Sequence, residues 1–190
     1  MRKERLREDS VYLIHDLLTP QECAEYVQFA EYRGFDEAPI TTSAGFVMRK
    51  DIRNNTRVMV DDRQIADTLW SRAREFVQPE WFYRQAKGLN ERFRFYKYEP
   101  GQRFAPHFDG YYERRNRDRS ELTFMVYLND DFTGGETVFY YGKEKLRVAP
   151  KTGAALVFVH KQLHEGAVLE TGVKYVMRSD VMYGGLGDAD

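Results

Sequence analysis

From about residue 92 onward, polar and apolar side chains change places every second residue, and this period of two limits the chain more than any other feature. Phe93 and Phe95 alternate with Arg94, Tyr96 and Tyr98. Apolar runs then recur at Leu122 to Leu128, Thr137 to Tyr140, Leu146 to Val148, Ala154 to Phe158, Ala167 to Leu169 and Val173 to Tyr183. An extended strand points successive side chains to opposite faces, so each run reads as a short strand. Pro-Gly, Asn-Asp-Asp, Gly-Gly, Pro-Lys-Thr-Gly and Thr-Gly separate the runs. The expectation is an all-antiparallel sandwich or jelly roll without parallel βαβ units. The 13 Tyr and 13 Phe suit such a β-rich core.

The first half of the chain reads differently. Residues 1 to about 9 are charged throughout and are expected to form a frayed leader, ahead of a strand-like Val11 to Ile14. Thr19-Pro20-Gln21-Glu22 supplies an N-cap threonine, a proline at the first helical position and a glutamate placed for a capping box. With Gly34 as a stop, the spacing predicts a helix over 19–33. Asp61 and Asp62 cap a second helix carrying Ile65, Leu69, Ala73 and Phe76 on one face, ended by Pro79. Thr41 through Arg57 reads as a loop region with a short strand at Phe46 to Met48. The chain is therefore expected to be mainly β with flanking helices (α+β). One domain covers 1–190, with residues 1–91 as helical support and substrate loop and 92–183 as the jelly roll.

At 190 residues there is room for one sizeable core, and 29 basic against 30 acidic residues give no bulk attraction to nucleic acid or an anionic membrane. Cys23 is the only cysteine, which excludes an internal disulfide and a cysteine-based zinc site. No apolar run approaches the ~20 residues of a membrane span, and no apolar stretch suits a signal peptide. A reducing, cytosolic setting is the default expectation. Arg114, Arg115, Arg117 and Arg119 crowd the segment from Glu113 to Arg119, which reads as a solvated loop or, from its place in the chain, a flap.

The chemistry concentrates in Pro106-His107-Phe108-Asp109-Gly110. On an extended strand His107 and Asp109 point to one side and can ligate one ion. A second histidine from a distant strand would complete two imidazoles and a carboxylate on one side of a metal, the facial triad of non-haem iron(II) oxygenases. Of the remaining histidines, His15 precedes the first helix and reads as structural or exposed, while His160 and His164 are both candidates for the third ligand.

Tyr98-Glu99-Pro100-Gly101-Gln102-Arg103-Phe104-Ala105-Pro106-His107-Phe108-Asp109, followed by Tyr127-Leu128-Asn129-Asp130, Gly134-Gly135-Glu136-Thr137, and His164 with Lys174 ten positions on, resembles the prolyl 4-hydroxylase group of iron(II)/2-oxoglutarate dioxygenases. The resemblance covers roughly residues 92–183. It implies a double-stranded β-helix with His107, Asp109 and His164 as iron ligands. It also implies Lys174 as partner of the far carboxylate of 2-oxoglutarate, with Tyr98 and Tyr127 in the co-substrate pocket. Dioxygen and, as reductant, ascorbate complete the implied cofactors. Lysine suits the diacid because an unpaired carboxylate in an apolar barrel costs several kcal/mol. A hairpin turning at Thr171-Gly172 would set Lys174 about five residues, ~16 Å, from His164.

The reaction implied is oxidative decarboxylation of 2-oxoglutarate coupled to hydroxylation of a C–H bond. A prolyl residue in a peptide or protein is the first substrate expectation, and a free amino acid or other small molecule the alternative. Arg53, Asn55 and Arg57 are candidate substrate contacts in a groove wall formed by 40–57, and Arg178 shares strand parity with Lys174 and can meet a carboxylate of co-substrate or substrate, against the plainer reading of a surface or structural ion pair. Two readings of other classes stay open: a cupin-like metal protein working without 2-oxoglutarate, and a sensing module that binds but does not hydroxylate.

Overall fold

The computed structural model describes residues 1–42 and 45–185. Its main layer is a ten-stranded antiparallel sheet. Along it run Arg2–Arg7, Val11–His15, Ala155–Val159, Arg119–Tyr127, Lys174–Gly184, Arg92–Tyr98, Thr56–Asp61 and Asp36–Glu37. The long Lys174–Gly184 strand pairs with Arg92–Tyr98 along its first half and with Arg84–Leu89 along its second. A second sheet of four strands has the order Phe104–His107, His164–Gly166, Thr137–Tyr141, Glu144–Val148. The layering is the jelly roll expected from the alternation.

The period of two sorts the large sheet into two cores. On one face Tyr12, Ile14, Phe93, Phe95, Phe124, Val126 and Met177 pack against Cys23 and Ala30 of the first helix and Ala66, Leu69 and Ala73 of the second. On the other, Val11, Leu13, Tyr96, Tyr98, Tyr127, Leu156, Phe158 and Val176 meet Phe139 and Val148 of the small sheet. Each buried side chain of this size contributes about 1.5–3 kcal/mol through removal of apolar surface from water. The second core is interrupted by polar residues of the same parity, and there the cavity lies.

Both helices form where their caps lie. The first covers Pro20–Arg33, with Thr19 and Glu22 exchanging the two bonds of a capping box. The second covers Arg63–Ala73, and the Asp62 carboxylate accepts from the Ile65 N–H. It stops before Phe76, which lies outside the helix.

Four expectations are corrected. Residues 2–7 are not a frayed leader but an edge strand paired with Val11–His15. Charged residues are no obstacle there, since an exposed edge is commonly guarded by Lys and Arg, and Lys3 lies 3.9 Å over the Tyr12 ring. Residues 1–91 are more than helical support, because Val11–His15, Thr56–Asp61 and Arg84–Leu89 are strands of the main sheet. Their pairing partners lie far along the chain, so local pattern does not reveal them. The run Ala167 to Leu169 is not one strand: His164–Gly166 joins the small sheet and Leu169–Thr171 pairs with Thr133–Gly134. Nor does Thr171-Gly172 turn a hairpin; it carries the chain from Thr133–Gly134 to Tyr98, the register partner of Lys174 in the large sheet.

Candidate metal and co-substrate site

His107 and His164 come from neighbouring strands of the small sheet and are direct register partners. Asp109 lies two residues past the end of its strand, so simple alternation does not place it. The chain beyond His107 is instead fixed by the Asp109 N–H, which donates to the His160 carbonyl at 3.1 Å. Ligand atoms of His107, Asp109 and His164 all lie within 4.8 Å of one another. Phe104 stacks on the His107 ring at 3.5 Å, and Phe158 meets His164 edge-on at 4.6 Å.

The donor set fits a divalent metal. His107 Nδ1 lies 2.8 Å from the Ala105 carbonyl and His164 Nδ1 lies 2.9 Å from that of Gln162. A carbonyl only accepts, so each Nδ1 carries the proton and each Nε2 offers its lone pair toward Asp109. Burial pushes the His107 imidazolium down to about 3 and lowers His164 as well. The rings are therefore neutral, and their 3.7 Å approaches to Asp109 are ligand spacing rather than ion pairs. Burial opposes ionisation of Asp109, but Arg178 foremost, with a hydroxyl donated by Thr123, holds the carboxyl far below the usual range.

Behind the triad, Lys174 is buried, and its Nζ donates to the Gly135 carbonyl at 2.6 Å. Among the described residues it makes no ion pair, and burial pushes it down to about 8 against the pull of Glu136. A buried cation without a carboxylate is the complement of one end of a diacid. Tyr98 and Tyr127 flank it, their ring centroids 5.1 and 5.7 Å from Nζ. Tyr98 lines the cavity between Lys174 and the triad. Tyr127 does not; its hydroxyl is bonded at 2.8 Å to Thr137, which supplies the wall instead.

The remaining candidates divide. Arg53 is buried between the rings of Tyr96 and Phe104, 4.5 Å from each, and opens on an outer cleft. Asn55 is buried too, but its side-chain oxygen accepts from Arg53 Nε at 2.8 Å, so it holds the arginine and does not reach the cleft. Arg57 lies half-buried in the cleft wall. Arg178 bonds Asp109 Oδ1 at 2.9 Å and Asp180 at 3.1 Å, so the carboxylates it meets are the protein's own. This is the structural ion pair of the plainer reading; its partner Asp109 is not readable from the sequence, because it arrives from the far sheet.

His160 stands outside the ligand cluster. It is buried, with Nδ1 3.0 Å from Thr123 Oγ1 and Nε2 3.0 Å from Ser120 Oγ. Thr123 in turn donates to Asp109 Oδ2 at 2.6 Å, a chain of contacts that fixes the carboxylate. Sequence reasoning missed Thr123, Thr137 and Tyr96; the strand parity of Thr123, register partner of Asp180, was the available signal. The segment 113–119 is tied down rather than free. Arg84 donates to the Arg117 carbonyl at 2.8 Å, Arg114 pairs with Glu91, and Arg119 pairs with Glu121 at 2.6 Å.

Residues 93–179 match the family model of the 2OG-Fe(II) oxygenase superfamily. The chain is 24% identical over 180 residues to probable prolyl 4-hydroxylase 7 of Arabidopsis thaliana, covering 85% of this chain and 55% of that protein. To the putative prolyl 4-hydroxylase of Acanthamoeba polyphaga mimivirus it is 26% identical over 186 residues, covering 87% and 71%. Among solved structures, the viral collagen prolyl hydroxylase of Paramecium Bursaria Chlorella virus-1 in its 2OG complex has a TM-score of 0.66 at 22% identity, covering 91% of this chain and 96% of that one. The Pseudomonas putida prolyl-4-hydroxylase reaches 0.71 at 16% identity, covering 91% and 92%. A prolyl hydroxylase from Trichoplax adhaerens, in complex with a hypoxia inducible factor peptide fragment, also reaches 0.71 at 16%, covering 93% and 84%. These structures share the fold. The matched segment contains both histidines, the aspartate and Lys174, and over these residues the chain resembles the prolyl 4-hydroxylase-like 2OG-Fe(II) oxygenases.

Proposed function

We propose that the protein is an iron(II)- and 2-oxoglutarate-dependent hydroxylase acting on a C–H bond of a prolyl residue in a peptide or protein, with release of succinate and carbon dioxide. The observation that carries this is the pairing of two neutral histidines and an ionised aspartate with a buried lysine that makes no ion pair among the described residues, all inside one cavity. Iron(II), when bound with 2-oxoglutarate and dioxygen, supplies the oxidising chemistry. His107, Asp109 and His164 would hold it on one side and leave the other side free for co-substrate and dioxygen. Lys174 would hold the distal carboxylate of 2-oxoglutarate, with Tyr98 and Thr137 shaping the wall. Arg178 and Thr123 keep Asp109 ionised and oriented, so the ligand needs no rearrangement to bind metal. Phe104 and Phe158 exclude water from the imidazoles.

A peptide is favoured over a small molecule because His107 and Asp109 also line a broad cleft of about 650 Å³, whose rim includes the exposed Phe108, Tyr111 and Tyr112. Anaerobic titration with iron(II) and then 2-oxoglutarate tests the cofactor assignment, the expected signal being a weak visible metal-to-ligand charge-transfer band. Succinate release stimulated by proline-containing peptides tests the substrate class. Iron binding without the band would turn the reading to a metal jelly roll of another kind.

A further inference from the structure

The outer cleft carries more positive charge than the triad can use. Arg53, Arg57, Arg94 and Arg178 line it, four guanidiniums against the carboxylates of Asp109 and Asp180. Asp109 belongs to the ligand set. Asp180 is shared, accepting from Arg178 at 3.1 Å and from Arg94 at a long 3.4 Å. Arg57 has no hydrogen bond or ion pair among the described residues, and burial together with neighbouring Arg53 and Arg94 disfavours its charge. Arg53 is 4% exposed, and its Nη2 is buried without a hydrogen-bond partner. Unpaired buried guanidinium is costly, and a carboxylate arriving with a ligand relieves it through paired N–H donors.

These arginines share one place in the fold. Arg57 is the register partner of Tyr96, and Arg94 that of Arg178, on three adjacent strands of the large sheet. The same cleft reaches His107 and Asp109, so a group seated on Arg57 and Arg94 belongs to a molecule that also presents a C–H bond to the metal position.

We propose that the cleft selects substrates carrying an acidic side chain next to the reacting residue, with Arg57 and Arg94 as the specificity-determining pair and Arg53 as their buried support. The inference rests on the hydroxylase reading and names the substrate class for it: an acidic, proline-containing peptide.

The test uses four labelled short peptides that share a central proline and differ only in its flanking residues, which are Glu, Gln, Lys or phosphoserine. Their affinities for the chain, measured by fluorescence anisotropy at two salt concentrations, are compared with those for Arg57→Gln, Arg57→Lys and Arg57→Glu. The Glu peptide is expected to bind about tenfold more tightly than the Gln peptide at low salt, with the gap narrowing as salt rises. Arg57→Gln removes the preference, Arg57→Lys retains much of it, and Arg57→Glu shifts preference toward a Lys-flanked peptide, which misfolding cannot produce. Equal binding of Glu and Gln peptides, or a preference confined to phosphoserine, would overturn the proposal. The charge-transfer band is recorded separately on the same preparations. Its absence would overturn the hydroxylase reading, while the affinities still decide the acidic preference.

Discussion

His107 and His164 are register partners across a short antiparallel pair, and their ring centroids stand 4.3 Å apart. Side chains directly opposite in such a pair point to the same face, so the pairing itself holds two Nε2 atoms ready for one ion. A slip of one residue would turn one imidazole to the other face.

That register separates the two late histidines by role. His164→Ala is expected to abolish iron(II) binding, measured by chelator competition. His160→Ala removes contacts to Thr123 and Ser120 but no ligand atom, and is expected to weaken binding about tenfold, the usual effect of a group behind a ligand. Equal loss in both variants would refute the division.

Lys174 gives opposite pH trends for binding and stability. Its ammonium holds the proton below about 8. Affinity for 2-oxoglutarate should fall as pH rises above 8, approaching tenfold per unit, read by anaerobic titration between about pH 7 and 9. Stability of the ligand-free protein should move the other way. The folded value lies below the ordinary 10.5, so between about 8 and 10.5 the unfolded chain binds more protons and rising pH favours the fold. Lys174→Met should remove that rise in urea unfolding; an identical slope in the variant would refute the assignment.

Gly135 tests the seat of that lysine without touching the triad. It has φ of +67°, and an added Cβ would lie 3.0 Å from Leu169 Cδ1 and 3.3 Å from Lys174 Cδ. Gly135→Ala should raise the dissociation constant for 2-oxoglutarate about tenfold, with about 1 kcal/mol of backbone strain, and leave iron(II) affinity unchanged. Loss of iron(II) affinity instead would mean the two halves of the site are not separable.

Glu22 links the helices. Its carboxylate accepts from Arg72 at 2.7 Å and from the Thr19 N–H at 2.8 Å, and these bonds, Arg72 first, hold it down to about 2. Its contribution is present above about 4.5 and is lost as pH falls toward 2. Glu22→Gln should cost about 1 kcal/mol at neutral pH, after allowance for solvent screening, and flatten the acid limb of the denaturation curve. An unchanged acid limb would assign that limb to other carboxylates.

The sequence by itself determined the elements whose cause is local. Alternation from Phe93 onward marks strands because side-chain direction in a strand depends only on position. Thr19, Pro20 and Glu22 mark a helix start because the groups they satisfy lie within three residues. His107, Asp109, His164 and Lys174 were legible through their order along the chain. What the tertiary structure decided depends on residues far apart. Arg2–Arg7 is a strand only because Val11–His15 offers it an edge, and Thr56–Asp61 only because Arg92–Tyr98 does. Asp109 meets Arg178 and Thr123 across two sheets, and Tyr127 gives up the cavity wall to Thr137, because the gap between those sheets sets which side chains reach across it. No local pattern encodes that distance. It is fixed when the two cores close on either side of the large sheet.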